Sequence, residues 1–350
     1  MSVTETVDGQ ATSTQPNWIK FLHRIGFTPL GLGLLIVIAI LPNFHPFSQE
    51  YIVRWLIMGA FLAAQAVAFD FTAGYINIVN FGFAALLGLG AYTSGIFANT
   101  TQFISVAPGL SPWITIFLGA IMAGLVGFLL AILTLRLRGI FAAVMAWFVG
   151  IALMGLVNNL TGLTRGPLGM NPRKFFEVPD NRPYFYIILA MMIVIYITLK
   201  LVVNSNIGLA FKAIGQNLDA ARASGINPTR YMVLNFTLSA LFAGWLGGFY
   251  AHFFGSLTPS TLMHTSKTVE VLAIAYIGGR GSLWGGITIA FPFIFFIEYL
   301  RSNLSQLPGL HLVIYGVLMV LIMIYYPDGF SGIYHWAAVK VKGFFNSRKE

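Results

Sequence analysis

Apolar runs long enough to cross a lipid bilayer recur along this chain and limit the folds that it can adopt. A helical crossing needs roughly 20 residues at a rise of about 1.5 Å each. In lipid the backbone must satisfy its own hydrogen bonds, and the runs lack the short alternation of a membrane β-barrel. We predict an all-α membrane protein, a polytopic helical bundle of about ten transmembrane segments at residues 28–42, 52–70, 79–98, 112–135, 139–158, 184–200, 231–255, 268–279, 284–300 and 312–326.

The composition agrees with a chain that lies mostly in lipid. Apolar residues make up 57% of the sequence and charged residues 9%, whereas a soluble domain carries about 25% charged residues. The net charge is +9, but the basic residues are scattered between apolar runs and do not indicate a nucleic-acid-binding module. The absence of cysteine excludes disulfides, thiol chemistry and cysteine-ligated metals. We expect no cofactor and no metal ion.

The distribution of Lys and Arg predicts which side of the membrane each loop faces, since cytoplasmic loops are enriched in both. With the N-terminus inside, thirteen of the twenty basic residues lie in cytoplasmic regions. We therefore predict a cytoplasmic tail at 1–27 without a signal-peptide pattern, a transmembrane domain at 28–330 and a basic cytoplasmic tail at 331–350. The 159–183 loop falls in the periplasm despite its four basic residues, and its length suggests a structured feature.

Two parts of the transmembrane domain are candidates for irregular backbone. The segment near 71–80 fits a broken helix, and a glycine-rich run at 278–286 follows a short apolar segment. Irregular backbone at membrane depth is tolerated only inside protein or beside a cavity, and broken helices often mark sites in transporters. A tight turn between two helices explains the glycine run equally well, and residues 268–300 fit either two crossings or a re-entrant pair.

Polar side chains within apolar runs are costly and usually have a role. The densest group contains Asp70, Asn77 and Asn80, and Asn158 and Asn159 close the fifth apolar segment. We predict that these five residues belong to a substrate pathway. For Asp70 a capping role at the membrane interface is an equal alternative, and Asn158 and Asn159 could instead join helices.

Other ionisable residues in or beside the apolar runs have simpler explanations. Glu298 and Arg301 are three residues apart, so we expect an ion pair on one helix face. Glu270 lies near the start of a segment, where a structural role is favoured. His252 lies near the end of a segment, which predicts an interfacial histidine.

The 201–230 loop is too long and polar to be a simple connector. Residues 208–224 read GLAFKAIGQNLDAARAS, a stretch rich in good helix formers. Gly225 then supplies a stop signal, and Pro228 follows soon after. We predict a short amphipathic helix at 208–225 on the cytoplasmic side; a surface connector helix without a partner is the alternative.

From this loop onward the chain resembles a known family. The run from residue 210, AFKAIGQNLDAARASGINPTRYMVLNFTLSALFAGWLGGFYAHFFGSLTP, is similar to permeases of branched-chain amino acid ABC importers, and to the longer of the two permeases that pair there. Urea and short-chain amide importer permeases are relatives of this family. The resemblance covers roughly 50–330 and includes GYINIVNFGFAALLGLGAY (74–92), RLRGIFAAVMAWFVGIALMGLVNN (136–159) and EVLAIAYIGGRGSLWGG (270–286). The family often has Gln and Ser where this chain has Asn77 and Asn80.

The resemblance implies a permease subunit in the bacterial inner membrane. It would form a path for small amino acids, branched-chain ones first, with urea or short-chain amides as the alternative. The implied partners are a second homologous permease, two ABC ATPase subunits, a periplasmic substrate-binding protein and membrane lipid. In this family the short cytoplasmic helix sits in a groove of the ATPase, and the matching positions here are Ala210, Lys212, Ala213, Gly215, Asp219, Ala220, Ala221 and Gly225.

The sequence offers no catalytic constellation of its own. It lacks the phosphate-binding pattern G-x-x-x-x-G-K-[ST], so ATP hydrolysis is expected on partner subunits. None of its six histidines forms an H-E-x-x-H motif, which argues against a membrane enzyme. An ion-coupled secondary transporter, with Asp70, Glu270 and Glu298 as proton carriers, is the main alternative class.

Overall fold

A computed structural model describes residues 29–45, 47–99, 109–134, 140–176, 180–304 and 310–325. Within these residues the regular structure is helical, apart from one isolated bridge between Met170 and Leu257. The helices are α1 (Pro29–Ile40), α2 (Glu50–Ala73), α3 (Phe83–Ala98), α4 (Pro112–Thr134), α5 (Ile140–Asn159), α6 (Thr161–Thr164), α7 (Arg182–Val203), α8 (Asn206–Gln216), α9 (Leu218–Ala223), α10 (Pro228–Phe254), α11 (Pro259–Leu262), α12 (Thr265–Gly278), α13 (Trp284–Asn303) and α14 (Leu310–Tyr325).

Six of the described helices are long and apolar enough to cross a membrane, namely α2, α4, α5, α7, α10 and α13. The other four predicted crossings coincide with the shorter helices α1, α3, α12 and α14. The prediction of an all-α polytopic membrane protein is therefore confirmed. The predicted tails at 1–27 and 331–350 lie outside the described residues.

The centre of the bundle forms where α10 packs against α3 and α4. Small residues bring these backbones together. A Cβ atom on Gly90 would overlap the backbone of Gly244, and one on Gly247 would overlap the carbonyl oxygen of Leu87. Helix association in lipid depends on such close packing, so glycine is required at these crossing points.

Two of the shorter helices follow irregular stretches of chain. Residues 74–82 precede α3, and residues 255–264, which include the single turn α11, precede α12. Buried backbone outside helices must find its hydrogen-bond partners elsewhere in the protein. The predicted break near 71–80 is confirmed, although it begins only at Gly74, after α2 has ended.

The chain from Leu257 to Thr268, in the first turn of α12, runs antiparallel along α3. Leu257 packs beside Gly95, near the end of α3, and Thr268 accepts a hydrogen bond from Ala84, near its start. The turn at 279–283 then leads into α13, which packs along α2. These contacts favour two crossings over a re-entrant pair for residues 268–300.

The single helix predicted at 208–225 is wrong, because two helices occupy this loop. Asn217 separates α8 from α9 with an extended backbone, φ −154° and ψ 111°. Its Oδ1 atom accepts hydrogen bonds from the N–H groups of Asp219 and Ala220, both at 3.0 Å. Asn is a strong N-cap, and the helix formers on both sides conceal this signal. The predicted glycine stop is confirmed, since Gly225 has φ +80°.

Candidate translocation and coupling site

Asp70 holds the turn between α12 and α13 in place. Its side chain lies in the last turn of α2 and is 2% exposed. Oδ1 accepts a hydrogen bond from Gly281 N at 2.8 Å, and Oδ2 accepts one from Leu283 N at 3.1 Å. Buried backbone donors need such an acceptor, and a carboxylate is a strong one. We call Asp70, Gly281 and Leu283 the clasp.

The backbone of the clasp explains why the sequence is rich in glycine here. Gly281 and Leu283 have φ values of +77° and +51°, a region that is costly for residues with a side chain. Gly74 faces this turn so closely that a Cβ atom there would overlap the backbone of Gly281. Of the two explanations that the sequence left open for the glycine run, the structure shows the tight turn between two helices, and Asp70 caps it.

A second link joins the same turn to the irregular stretch after α2. The Arg280 guanidinium donates a hydrogen bond to Asn77 Oδ1 at 2.6 Å and lies 6.0 Å from the centre of the Tyr276 ring. Asn77 has φ +59°, a conformation that Asn tolerates better than most residues. Asn77 and Arg280 are both exposed, so this link borders solvent or a partner.

Helix α8 packs against the end of α2 and the residues that follow it. A Cβ atom on Gly215 would overlap the carbonyl oxygen of Tyr75. The Phe211 ring packs edge-on against Phe71 in α2 at 5.5 Å and lies 6.2 Å from Tyr231 in α10. Helix α8, residues 70–77 and the 279–283 turn thus form one packed unit, which we call the junction.

The eight positions matched to a coupling helix divide into two groups. Ala210 and Ala221 are buried within this chain, and Ala213 and Gly215 are half-buried. The exposed members are Lys212, Asp219, Ala220 and Gly225. Sequence reasoning missed two further exposed residues on the same surface, Leu209 and Arg222. The sequence carries no signal for the first, because the residues around Leu209, namely Gly208, Ala210 and Phe211, are small or apolar.

The start of α3 is capped inside the protein. Asn80 is 2% exposed, and its Oδ1 atom accepts a hydrogen bond from Gly82 N at 3.0 Å. Thr268 of α12 accepts from Ala84 N at 3.0 Å and donates to the carbonyl oxygen of Phe81 at 3.2 Å. These contacts satisfy backbone groups that a helix start leaves open, so Asn80 orients a helix and does not line an open surface.

Helix α12 presents a polar face beside this point. His264, Ser266 and Lys267 are exposed, and Lys267 Nζ lies 2.9 Å from Glu270 Oε2. Trp147 of α5 donates a hydrogen bond to Thr265 Oγ1 at 2.9 Å. Charged side chains in a membrane protein face a partner or a water-filled space and avoid lipid. This face is therefore a better candidate for a pathway wall than Asp70 or Asn80.

The remaining predicted pathway residues lie far from the junction. Asn158 and Asn159 end α5, and Asn159 donates a hydrogen bond to Gly155 O of its own helix at 2.8 Å. The five predicted residues therefore do not form one cluster. Asp70 and Asn77 belong to the junction, Asn80 caps α3, and the last two lie at the opposite end of the bundle, which also holds residues 169–176.

His252, which was predicted as an interfacial histidine, belongs to that opposite end. It is fully buried, with Nε2 2.8 Å from Ser94 Oγ and 3.2 Å from Thr115 Oγ1. Its Nδ1 atom lies 2.5 Å from the carbonyl oxygen of Arg173. Three separate segments thus meet at one imidazole. The expected pair of Glu298 and Arg301 is confirmed, at 3.6 Å.

Metal chemistry gains no support from the described part of the chain. There, no group of three or more His, Cys, Asp or Glu side chains is arranged to hold a metal ion. The Asp70 carboxylate instead accepts from backbone N–H groups, and Glu270 and Glu298 each pair with a basic residue of their own helix. What the arrangement offers is a rigid unit that links an exposed helix pair to the ends of several apolar helices.

An apolar helical bundle with two interrupted segments, and with a polar helix pair fastened to one end, has the architecture of a membrane transport protein. A family model described as "Branched-chain amino acid transport system / permease component" matches residues 51–323. The chain belongs to that family. The predicted resemblance is therefore confirmed, and the chain is a multi-pass membrane permease.

Several curated proteins are similar to this chain. The branched-chain amino acid permease LivM of Escherichia coli is 28% identical over 284 residues, which cover 73% of this chain and 64% of LivM. The nucleoside permease NupC of Lactococcus lactis is 28% identical over 204 residues, covering 53% of this chain and 62% of NupC. LivH of Escherichia coli is 22% identical over 295 residues, which cover 79% of this chain and 92% of LivH. No solved structure matches the chain significantly.

Proposed function

We propose that this chain is the transmembrane permease subunit of an ABC importer and forms a path for small hydrophobic amino acids, branched-chain ones first. The family match over residues 51–323 carries this proposal. LivM and LivH, which it resembles, are described as high-affinity branched-chain amino acid permeases. The alignment spans only 64% of LivM, so cargo and partners do not transfer from the likeness alone. Family membership disfavours an ion-coupled carrier.

A nucleoside is the second candidate cargo, because NupC is described as a nucleoside ABC transporter permease. Urea and short-chain amides stay an alternative from the sequence resemblance. Uptake assays with leucine, a nucleoside and urea distinguish the three. ATP hydrolysis is assigned to separate subunits, since the sequence lacks a phosphate-binding loop.

The proposed assembly places both termini and the α8–α9 pair in the cytoplasm of a bacterium, below the inner membrane. The count of basic residues supports this orientation. It puts the 159–183 loop in the periplasm, where a substrate-binding protein would dock. A second homologous permease and two ATPase subunits complete the assembly.

The surface proposed to contact the ATPase consists of the exposed parts of α8 and α9. Leu209 is 63% exposed and Lys212 of the same helix is exposed, as are Asp219 and Ala220 of α9. Asp219 and Arg222 lie 3.7 Å apart on this surface, so it offers both charges to a partner. The buried residues Ala210 and Ala221, with Gly215, would support the surface from within the chain.

Replacing Ala220 with Trp tests this proposal. The bulky ring would hold a docked ATPase away, and the loss of contacts at an interface hot spot costs about 2 kcal/mol or more. We expect Ala220→Trp to lower copurification of the ATPase and ATP-driven leucine uptake severalfold. Leu168→Trp is the matched control, because Leu168 is 83% exposed at the opposite end. Equal ATPase recovery from both variants would contradict the assignment.

A further inference from the structure

A cavity of about 140 Å³ opens between α2, α3, α10, α12 and α13. Most of its wall is apolar, and the residues that matter for its shape are Met58, Phe61, Leu62, Leu87, Val271 and Ile294. An apolar cavity of about 150 Å³ accommodates a molecule the size of benzene. This cavity therefore has room for a branched aliphatic side chain, whereas a nucleoside, with a base joined to a ribose, is too large for it.

The rim of the same cavity carries both charges of an ion pair. Lys267 and Glu270 line it, and their side chains are 54% and 23% exposed. Gln65 adds a buried amide that donates to Phe61 O at 3.4 Å. Ionisable groups within an apolar bundle are functional-site hypotheses by default. Their position in the first turns of α12 adds the favourable potential of a helix N-terminus for an anionic group.

A second ion pair with the same spacing serves as a comparison for the pair formed by Lys267 and Glu270. Glu298 and Arg301 are also three residues apart, at 3.6 Å in the last turns of α13. Neither residue lines the cavity. The juxtaposition of an apolar cavity with adjacent positive and negative charges thus distinguishes the α12 pair from the α13 pair.

We propose that this cavity is an intramembrane binding site for a free amino acid in its zwitterionic form. The aliphatic side chain enters the apolar cavity, the α-carboxylate pairs with the Lys267 ammonium, and the α-ammonium pairs with the Glu270 carboxylate. The incoming zwitterion exchanges one internal ion pair for two new ones, so no charge is left without a partner in a region of low dielectric. This inference rests on the proposed function and adds a residue-level site to it.

The first test measures selectivity in the complete transporter, reconstituted in liposomes with its binding protein at saturation. Leu62→Phe narrows the cavity, and one methylene in an apolar pocket changes discrimination by about tenfold or more. We expect leucine uptake to fall about tenfold further than valine uptake. Equal losses for both amino acids would indicate packing damage or a lipid tail in the cavity, and would overturn the proposal.

The second test removes one charge with a matched control. Glu270→Gln should lower uptake of leucine and valine about tenfold, because charge-assisted hydrogen bonds contribute that much to binding. Glu298→Gln removes the carboxylate of the other ion pair and should leave uptake unchanged. Wild-type rates and selectivity in both Leu62→Phe and Glu270→Gln would overturn the site while leaving the importer function intact. A wild-type assembly that carries no amino acid would refute the proposed function, and the site with it.

Discussion

The two ends of the bundle both use a buried polar side chain to hold a loop, but with different neighbours. At the junction, the Asp70 carboxylate accepts hydrogen bonds from two backbone N–H groups of the 279–283 turn. At the opposite end, the His252 ring lies between Ser94 and the carbonyl oxygen of Arg173. Among the described residues, the junction is the end that is continuous with an exposed helix pair. If that pair docks an ATPase as proposed, the junction would transmit its motion and the opposite end would stay fixed.

The two ends also differ in the number of contacts that hold each loop. The loop at the opposite end has a second attachment, because Met170 and Leu257 exchange backbone hydrogen bonds of 2.9 and 2.8 Å. Phe175 packs against the His252 ring at 5.0 Å. At the junction the clasp is supplemented by the exposed link between Asn77 and Arg280. Loss of the key side chain should therefore be more damaging at the junction.

Asp70→Ala should give the largest effect. It leaves the buried N–H of Leu283 and the partly buried N–H of Gly281 without this acceptor, and a buried unsatisfied group costs about 1–3 kcal/mol. We expect a clear drop in the thermal unfolding midpoint of the purified protein and loss of most transport. Asp70→Asn retains one acceptor oxygen, so its unfolding midpoint should lie between those of the wild type and Asp70→Ala. A normal unfolding midpoint with lost uptake would mean that Asp70 acts on the cargo and not on the turn.

The fold class and the approximate positions of the crossings could be predicted because bilayer thickness fixes the length of an apolar run. The glycine run predicted an irregular backbone, since a left-handed conformation favours glycine, but it did not decide between a tight turn and a broken helix. The role of Asp70 could not be predicted between its two alternatives, because its partners are backbone groups 211 and 213 residues away. Every residue except proline has a backbone N–H group, so the sequence does not show which of these groups need a side-chain acceptor.

The five predicted pathway residues stay a prediction, and they lie at two ends of the bundle for a related physical reason. An amide or a carboxylate in an apolar run is equally useful for contacting cargo and for satisfying open backbone groups. Asn80 illustrates this, because its side chain caps the start of α3. The sequence did not identify the charged face of α12 as a candidate site. Lys267 and Glu270 lie near the start of an apolar segment, where charged residues usually have a structural role, and the irregular stretch at 255–264 hides the true start of the helix.

His252→Ala should have a smaller effect that is confined to its own end. Ser94 and Thr115 keep each other as partners at 3.0 Å, so mainly the Arg173 carbonyl loses a contact. We expect a stability loss of about 1–2 kcal/mol and faster hydrogen exchange at residues 169–176. ATPase copurification should be unchanged. If it falls as far as in Asp70→Ala, the two ends are coupled and the comparison breaks down.

Substitutions at Asn77 should give the smallest effects and separate backbone from side chain at the junction. Asn77→Ala removes the acceptor for Arg280, and it replaces Asn, which tolerates a left-handed backbone, with a residue for which that conformation costs about 1 kcal/mol. Asn77→Gly removes the same acceptor but relieves the backbone. Because the link to Arg280 is exposed, its own contribution should be small. We therefore expect the unfolding midpoint to fall for Asn77→Ala and to stay near wild type for Asn77→Gly. Equal losses would show that the hydrogen bond to Arg280, and not the backbone conformation, stabilises the junction at this point.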